Sequence, residues 1–287
     1  MTKFRYSFNC ALYSGEPIET SVERVARCGY DAIELPGEVL QYQPRAIARL
    51  TRDAGITVSS VCGHYTADRD LSDPDESQRR QAVHYVEQLS DFAREVGAPR
   101  VIVAPQSWMR PSLPPNLEER RRFALEAIAA ACEQAATCGV SLVIECWNRY
   151  EAWCLNRLDQ GLAFLDDLNQ PNASIMGDTF HMNIEERSIS GAIHRAGLRL
   201  KHMHVADSNR CVPGDGHIDF MPVLKALREI GYEGFITVEI LPPPVNSFAG
   251  LTQGSRSELY EFRTRQSIGY LRDLESRLMH PEGASSS

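Results

Sequence analysis

Residues 136–145 read ATCGVSLVIE, and this stretch decides how the chain folds. It begins as the end of an amphipathic helical pattern, and Gly139 suits the left-handed conformation that commonly ends a helix. The apolar run after it is short and rich in Val and Ile, as expected for a buried parallel strand. The run ends on an ionisable residue, Glu145. One short segment therefore predicts a helix, a turn, a strand and a candidate functional group.

The same order of helix, glycine and apolar run recurs along the chain. Further copies are VARCGYDAIEL (25–35), TRDAGITVSSV (51–61), REVGAPRVIVA (94–104), RAGLRLKHMHV (195–205) and REIGYEGFITVE (228–239). From these and two weaker runs we predict eight strands, near Tyr6–Asn9, Ala32–Leu35, Thr57–Cys62, Arg100–Ala104, Ser141–Glu145, Ser174–Asp178, Leu200–Val205 and Phe235–Ile240.

Helical patterns fill the gaps between the strands. The strongest are Glu76–Val96 and Leu117–Thr137, where apolar residues recur at three- and four-residue spacing. Asp75 and Asn116 precede them and are the expected N-caps.

Eight strands alternating with helices predict an α/β fold, a single closed (β/α)8 TIM barrel. We assign residues 1–280 to this barrel domain and residues 281–287 to a flexible C-terminal tail. A doubly wound open sheet is the alternative. It usually has a Gly-rich phosphate-binding turn after an early strand, and no G-x-G-x-x-G occurs in the sequence.

The composition of the chain limits the kinds of molecule that it is expected to bind. The formal net charge of -8 argues against a nucleic-acid partner, which usually requires a basic face. No stretch has the ~20 apolar residues that span a bilayer, and residues 1–17 lack the apolar run of a signal peptide. The 8 cysteines are scattered without a C-x-x-C pair. We therefore expect a cytoplasmic protein with reduced thiols and no membrane contact.

Ionisable residues stand at the ends of the last four predicted strands: Glu145, Asp178, His204 and Glu239. Barrel enzymes build their sites at the C-terminal ends of the strands, so these side chains should meet at one mouth. Three crowded carboxylates would repel one another unless a cation lay between them. Three carboxylates and one imidazole suit a divalent metal ion, Mn²⁺ or Mg²⁺, with Co²⁺ as a further option.

Other histidines and aromatic residues are weaker candidates. His202 and His204 both point into the barrel, but only His204 is near enough to the strand end to be a ligand. We interpret His202 as an inner-layer residue. His64 is a candidate for lining the pocket, and so are three tryptophans, Trp108, Trp147 and Trp153. Three further histidines, His84, His194 and His280, are expected on helices or the surface.

Four segments carry a resemblance to a known family. They are ECWNRYEAW (145–153), GDTFHMNIEE (177–186), HVADSNR (204–210) and PGDGHIDF (213–220). In residues and spacing they resemble the xylose-isomerase-like TIM-barrel superfamily of sugar phosphate isomerases and epimerases. Within it they are most similar to the ketose 3-epimerases, such as those acting on D-tagatose and D-psicose (allulose). The segment GDTFHMNIEE is the most specific of the four, and the likeness covers nearly the whole chain.

The resemblance implies a small-molecule sugar substrate and roles for named residues. Glu145, Asp178, His204 and Glu239 would bind the metal, with Mn²⁺ as the expected ion. Glu151, His181 and Arg210 match residues that hold the O1 to O3 end of the substrate. Glu145 and Glu239 would then remove and return the C3 proton of a ketose through a cis-enediolate. By analogy with such relatives, a dimer or tetramer of this chain is expected.

Departures from the family pattern leave alternatives open. Trp147 follows Glu145 where a smaller residue is common, Glu239 is followed by ILPPPVN rather than directly by Pro, and ADSN (206–209) also differs. A lyase or isomerase acting on a keto-glycoside (the C-glycoside deglycosidase type), an inosose or a sugar phosphate would use the same site. A DNA-repair endonuclease would need more histidine ligands and a basic groove. A sensor would bind the sugar without proton exchange.

Overall fold

The computed structural model describes residues 3–11, 13, 15–241 and 253–280. Eight strands form one closed parallel barrel in sequence order. The strands are β1 (Arg5–Asn9), β2 (Ala32–Pro36), β3 (Thr57–Cys62), β4 (Arg100–Val103), β5 (Ser141–Glu145), β6 (Ala173–Asp178), β7 (Leu200–Val205) and β8 (Phe235–Val238). The barrel closes where β1 pairs with β8, with Phe8 opposite Val238. The predicted TIM barrel is thereby confirmed.

Helices surround the barrel in the described part of the chain. They are α1 (Ile18–Arg27), α2 (Pro44–Asp53), α3 (Glu76–Val96), α4 (Leu117–Thr137), α5 (Leu158–Leu168), α6 (Thr179–Glu185), α7 (Ile189–Ala196), α8 (Phe220–Glu229) and α9 (Gln253–Met279). Short 3₁₀ turns occur at Val39–Gln41, Ala67–Arg69 and Gly197–Arg199. The apolar faces of the helices pack against the outside of the barrel and form one large core.

The predicted element bounds are close to the observed ones. Helices α3 and α4 match residue for residue, whereas β4 and β8 end at Val103 and Val238, short of the predicted ends. Asp75 caps α3 by accepting a bond from the backbone N of Ser77. Asn116 does precede α4, but the prediction that its side chain caps the helix is wrong. Its side-chain amide instead donates to the carboxylate of Glu119 at 3.1 Å.

The inside of the barrel has an apolar half and a polar half. Ile102, Val143 and Met176, from β4 to β6, form a separate apolar cluster. Glu34 and His202, from β2 and β7, are fully buried and 2.8 Å apart. Because β1 and β8 lie between those strands in the sheet, this contact crosses the barrel interior. A polar layer therefore lies beneath the ends of the last strands.

Two expectations from composition can be compared with the structure. All eight cysteines are free, which agrees with the predicted reduced thiols. Among the described residues, every helix is too short or too polar to cross a bilayer. The predicted tail, residues 281–287, and most of the ILPPPVN segment lie outside the described residues.

Candidate active site

The four predicted ligand residues meet at the C-terminal mouth of the barrel. One potential ligand atom from each of Glu145, Asp178, His204 and Glu239 lies within 4.8 Å of the others. Nδ1 of His204 is 2.9 Å from Glu239 Oε2 and 3.9 Å from Glu145 Oε1. All four side chains are buried. The structure thus brings together the cluster that the sequence predicted.

Strand pairing explains why these residues meet. Asp178 lies opposite His204 in the β6–β7 register, and β7 pairs in turn with β8. Glu239 follows β8 directly, and its backbone N still donates to the carbonyl of Val205 at 3.1 Å. The loops are also joined, because the Thr179 hydroxyl donates to the Ala206 carbonyl at 2.6 Å. The ends of neighbouring strands therefore hold the four side chains at the same height along the barrel axis.

The donor set fits a divalent cation. Nδ1 of His204 is buried without a hydrogen-bond partner and faces the carboxylates. Burial, together with the charges of Glu239 and Asp178, raises the pKa of Glu145 to about 8, although the charge of His204 opposes the shift. A buried carboxylate that is this costly to ionise, beside an imidazole nitrogen with no partner, is the environment that a hard divalent ion relieves.

Arg210 lies against the same carboxylates. Its guanidinium donates one bond to Asp178 and another to Glu239. Burial alone would raise the pKa of Asp178, but the charge and hydrogen bond of Arg210, with the charge of His204, outweigh it and keep that pKa well below its usual range. Two carboxylates therefore share one permanent positive charge in addition to any bound ion.

The loop after β7 holds Arg210 in an uncommon backbone conformation. Arg210 has φ 61°, in the left-handed region that residues other than glycine seldom adopt. The buried carboxylate of Asp207 accepts bonds from the backbone N atoms of Ser208, Gly214 and Ile218 and closes this loop. Leu241 N also donates to the Arg210 carbonyl at 2.9 Å. These contacts fix the guanidinium over the cluster.

A cavity of about 410 Å³ opens above the cluster. Of the four clustered residues, Glu145 and Glu239 line it, whereas Asp178 and His204 lie behind them. The residues predicted to hold substrate, Glu151, His181 and Arg210, also line this cavity. Further lining residues include Asn9, Gly37, Glu38, His64, Tyr65, Trp108, Trp147, Phe180 and Leu241. The structure therefore places all predicted site residues around one space or directly beneath it.

Asn148 orients two of the residues that line the cavity. Its side-chain amide donates to Glu151 at 2.8 Å and lies 2.8 Å from Nδ1 of His181. Its backbone N also donates to Nδ1 of His181 at 3.3 Å. Burial lowers the pKa of His181 despite the opposing charge of Asp178. A neutral ring whose Nδ1 accepts must carry its proton on Nε2, 3.7 Å from Asp178 Oδ2 and 4.0 Å from Glu145 Oε1.

The weaker candidates divide into two groups. Trp108, Trp147 and His64 line the cavity, as considered from the sequence, whereas Trp153 packs in the interior without lining it. His202 is an inner-layer residue, as interpreted from the sequence, and its Nε2 contacts Glu34 and Thr237. The helix and surface histidines, His84, His194 and His280, are exposed.

Two polar residues of the site were missed by the sequence analysis. Asn9, at the end of β1, donates its side-chain amide to Glu239 at 2.9 Å. Glu34, in β2, is fully buried beneath His204. A signal for Glu34 was present, because a glutamate inside an apolar strand is seldom buried without a partner. The early strands also carry polar residues toward the mouth.

The fold and the clustered mouth define a barrel of the xylose isomerase type, and sequence comparison assigns the family. The Xylose isomerase-like TIM barrel family matches residues 22–272, and this chain belongs to it. The resemblance found in the sequence is thereby confirmed.

Characterised relatives carry epimerase names. The chain is 31% identical over 224 residues to a D-psicose 3-epimerase of Ruminiclostridium cellulolyticum, covering 76% of each chain. It is 28% identical over 222 residues to a 3-dehydro-D-guloside 4-epimerase of Escherichia coli, covering 75% of this chain and 84% of the relative. A crystal structure of D-psicose 3-epimerase with D-tagatose from Clostridium cellulolyticum H10 superposes with a TM-score of 0.84. That pair is 26% identical and covers 95% of this chain and 99% of the other. These relatives support a sugar epimerase.

Proposed function

We propose that this protein is a divalent-metal-dependent epimerase that inverts C3 of a ketose through a cis-enediolate. The observation that carries the proposal is the placement of Glu145 and Glu239. They are the two members of the four-residue cluster that line the cavity, and they come from β5 and β8 with the ends of β6 and β7 between them. A substrate above the cluster would therefore have one carboxylate toward each side.

Inversion of the configuration at a carbon requires two bases. A carbon loses its proton to one group and regains a proton on the opposite face from another. Glu145 and Glu239 both reach the cavity, so one can take a proton from a carbon above the cluster and the other can return one. Glu239 accepts bonds from Asn9 and Arg210, which hold its carboxylate in place. Which glutamate begins as the base depends on the C3 configuration of the substrate.

A divalent ion, with Mn²⁺ the proposed one, would be held by Glu145, Asp178, His204 and Glu239. When bound, it would polarise the substrate carbonyl and stabilise the negative charge that develops as the proton leaves. The protein supplies two further positive or donor groups at the same place. Arg210 presents its guanidinium beside Asp178 and Glu239, and His181 presents Nε2–H toward Glu145. Both are suited to hydrogen bonds with substrate oxygens.

Glu151 is proposed to bind the hydroxyl end of the sugar. Its carboxylate accepts from Asn148 at 2.8 Å and from the indole of Trp108 at 2.7 Å. These bonds fix the direction of the carboxylate while it remains part of the cavity wall. A fixed acceptor at this position would orient a sugar so that its reacting carbon lies between the two glutamates.

The test is epimer formation by the Mn²⁺-loaded protein. It would be incubated in turn with D-fructose, D-psicose, D-tagatose and D-sorbose, and the products identified by NMR. We expect at least one pair of 3-epimers to interconvert. The matched control is Glu239→Gln, which should lose the activity while retaining its fold. Failure with every ketose, in protein shown to contain the ion, would overturn the C3 assignment.

A second candidate is epimerisation beside the carbonyl of a keto-glycoside. The relative from E. coli is a 3-dehydro-D-guloside 4-epimerase, and the same pair of carboxylates would serve that reaction. The outer wall of the cavity carries Glu38, His64 and Trp108, polar and aromatic groups that suit a second sugar ring. A 3-keto glucoside in the same NMR assay would distinguish the two substrates. The epimerase names of the relatives do not favour the elimination reaction of a lyase.

A further inference from the structure

A buried carboxylate lies directly behind the ligand histidine. Oε1 of Glu34 is 2.8 Å from Nε2 of His204, and both residues are fully buried. The two atoms form a close ion-pair contact, and neither has a hydrogen-bond partner among the described residues. The opposite ring nitrogen, Nδ1, faces Glu145 and Glu239. The imidazole thus lies between the metal-binding carboxylates and Glu34.

The other oxygen of Glu34 is held in place by the polar layer inside the barrel. Oε2 is 2.8 Å from His202 Nε2 and accepts a bond from the Ser60 hydroxyl at 2.5 Å. His202 Nε2 is also 3.2 Å from the Thr237 hydroxyl. The two contacts of Oε2 come from β3 and β7, so the carboxylate cannot turn without losing contacts with both strands.

Burying a carboxylate in a barrel core carries a cost that its partners must offset. Burial alone would raise the pKa of Glu34, but the charges and bonds of His204 and His202 outweigh it and hold that pKa well below its usual range. Glu34 is fully buried and is not among the residues that line the cavity. Its contacts therefore point to a role exerted through His204 rather than on the substrate.

We propose that Glu34 is a positioning residue that selects Nδ1 of His204 as the metal-binding atom. A carboxylate beside Nε2 keeps the proton on that nitrogen and fixes the plane of the ring, so Nδ1 presents its lone pair to the cluster. His202 and Ser60 brace the carboxylate from the other side. The inference rests on the proposed metal-dependent function, because it concerns the affinity of that site.

The first test compares Mn²⁺ affinity, measured by EPR titration of free Mn²⁺, between the wild type and Glu34→Gln. We expect the variant to bind Mn²⁺ about 10- to 100-fold more weakly, the usual effect of losing an outer partner of a ligand histidine. Glu34→Asp, which retains the charge, should recover part of the affinity. Ser59→Ala is the matched control, because Ser59 is equally buried but bonds to Ser7 and Ser60 rather than to a histidine. Thermal unfolding in excess EDTA reports folding separately from metal binding.

A second measurement needs no variant. Wild-type protein labelled with ¹⁵N-histidine and loaded with ¹¹³Cd²⁺ should show cadmium coupling to Nδ1 of His204 and a proton on Nε2. Coupling to Nε2, or wild-type Mn²⁺ affinity in folded Glu34→Gln, would overturn this inference while leaving the metal site intact. A wild-type protein that binds neither ion would instead overturn the metal site and this inference with it.

Discussion

Trp108 donates its indole N–H to the carboxylate of Glu151, with 2.7 Å between Nε1 and Oε2. The two residues belong to loops that also join through the backbone, because Arg110 N donates to the Glu151 carbonyl at 3.0 Å. Met109 has φ 57°, a left-handed conformation directly after Trp108. The loop after β4 is therefore shaped so that its tryptophan fixes a residue of the loop after β5.

Replacing Trp108 by Phe should weaken substrate binding more than it slows the chemical step. Phe keeps an aromatic ring at the wall but cannot donate to Glu151, whose carboxylate is then held only by the bond from Asn148. Since Trp108 is half exposed, we expect a loss of about 3- to 10-fold in kcat/KM, mostly in KM. Steady-state kinetics on the best substrate measure this. Tyr150→Phe, an exposed change on the neighbouring loop, should leave both constants unchanged, and an equal loss there would refute the role of the bond.

Asp178→Asn should separate metal binding from folding. Asp178 caps α6 by accepting from Phe180 N at 2.9 Å, and an asparagine oxygen can do the same. The substitution removes one of three negative charges from the cluster, so Mn²⁺ affinity should fall by more than about 10-fold. The melting temperature in EDTA should fall, because the buried ion pair with Arg210 is lost, so Mn²⁺ affinity is measured well below that temperature. Unchanged Mn²⁺ affinity in a folded Asp178→Asn protein would remove Asp178 from the ligand set.

Metal binding should release protons and strengthen as the pH rises. Burial raises the pKa of Glu145 to about 8, and the charges of Glu239 and Glu34 raise that of His204 although burial opposes them. Both groups hold a proton at neutral pH before the ion binds, and a ligand must lose its proton to bind. Titration calorimetry in two buffers of different ionisation enthalpy should give different apparent enthalpies. Equal enthalpies would show that no proton is displaced.

Two glycine substitutions should have opposite effects on stability. A Cβ at Gly234 would lie 2.4 Å from the backbone oxygen of Lys201, so β7 and β8 would have to separate. Overpacking of this kind costs about 1–3 kcal/mol. Gly269, in α9, has open space around it, and alanine there should stabilise the protein by about 0.5–1 kcal/mol through helix propensity. Chemical denaturation of both variants measures the difference, and a Gly234→Ala protein as stable as the wild type would contradict the close contact.

The sequence was sufficient to predict the barrel and the four-residue cluster at its mouth for a simple reason. The apolar pattern of a strand and the glycine that ends a helix can each be recognised in a short stretch of sequence. Once a closed parallel barrel is inferred, its topology places the C-terminal end of every strand at one mouth. Glu145, Asp178, His204 and Glu239 could therefore be grouped without any coordinates. Their confirmation as neighbours follows from strand order alone.

The residues that were missed depend on contacts that strand order does not specify. Glu34 meets His204 across the barrel interior, which requires the depth and register of β2 against β7. Asn9 reaches Glu239 because β1 closes against β8. The wrong prediction for Asn116 has a similar origin, since a nearby Glu119 competes for its amide. Where a side chain has several possible hydrogen-bond partners nearby, the packing of the folded protein decides which of them it contacts.

The central claim is that Glu145 and Glu239 act on opposite faces of one carbon, and the position of solvent deuterium tests it most directly. Mn²⁺-loaded protein would convert a small fraction of a ketose substrate in D₂O, and NMR would measure deuterium at C3 in the product and in the recovered substrate. A two-base reaction predicts deuterium in the product epimer and almost none in the remaining substrate, because the first glutamate returns its own proton. A product that retains the original hydrogen, or equal labelling of both sugars, would contradict the account.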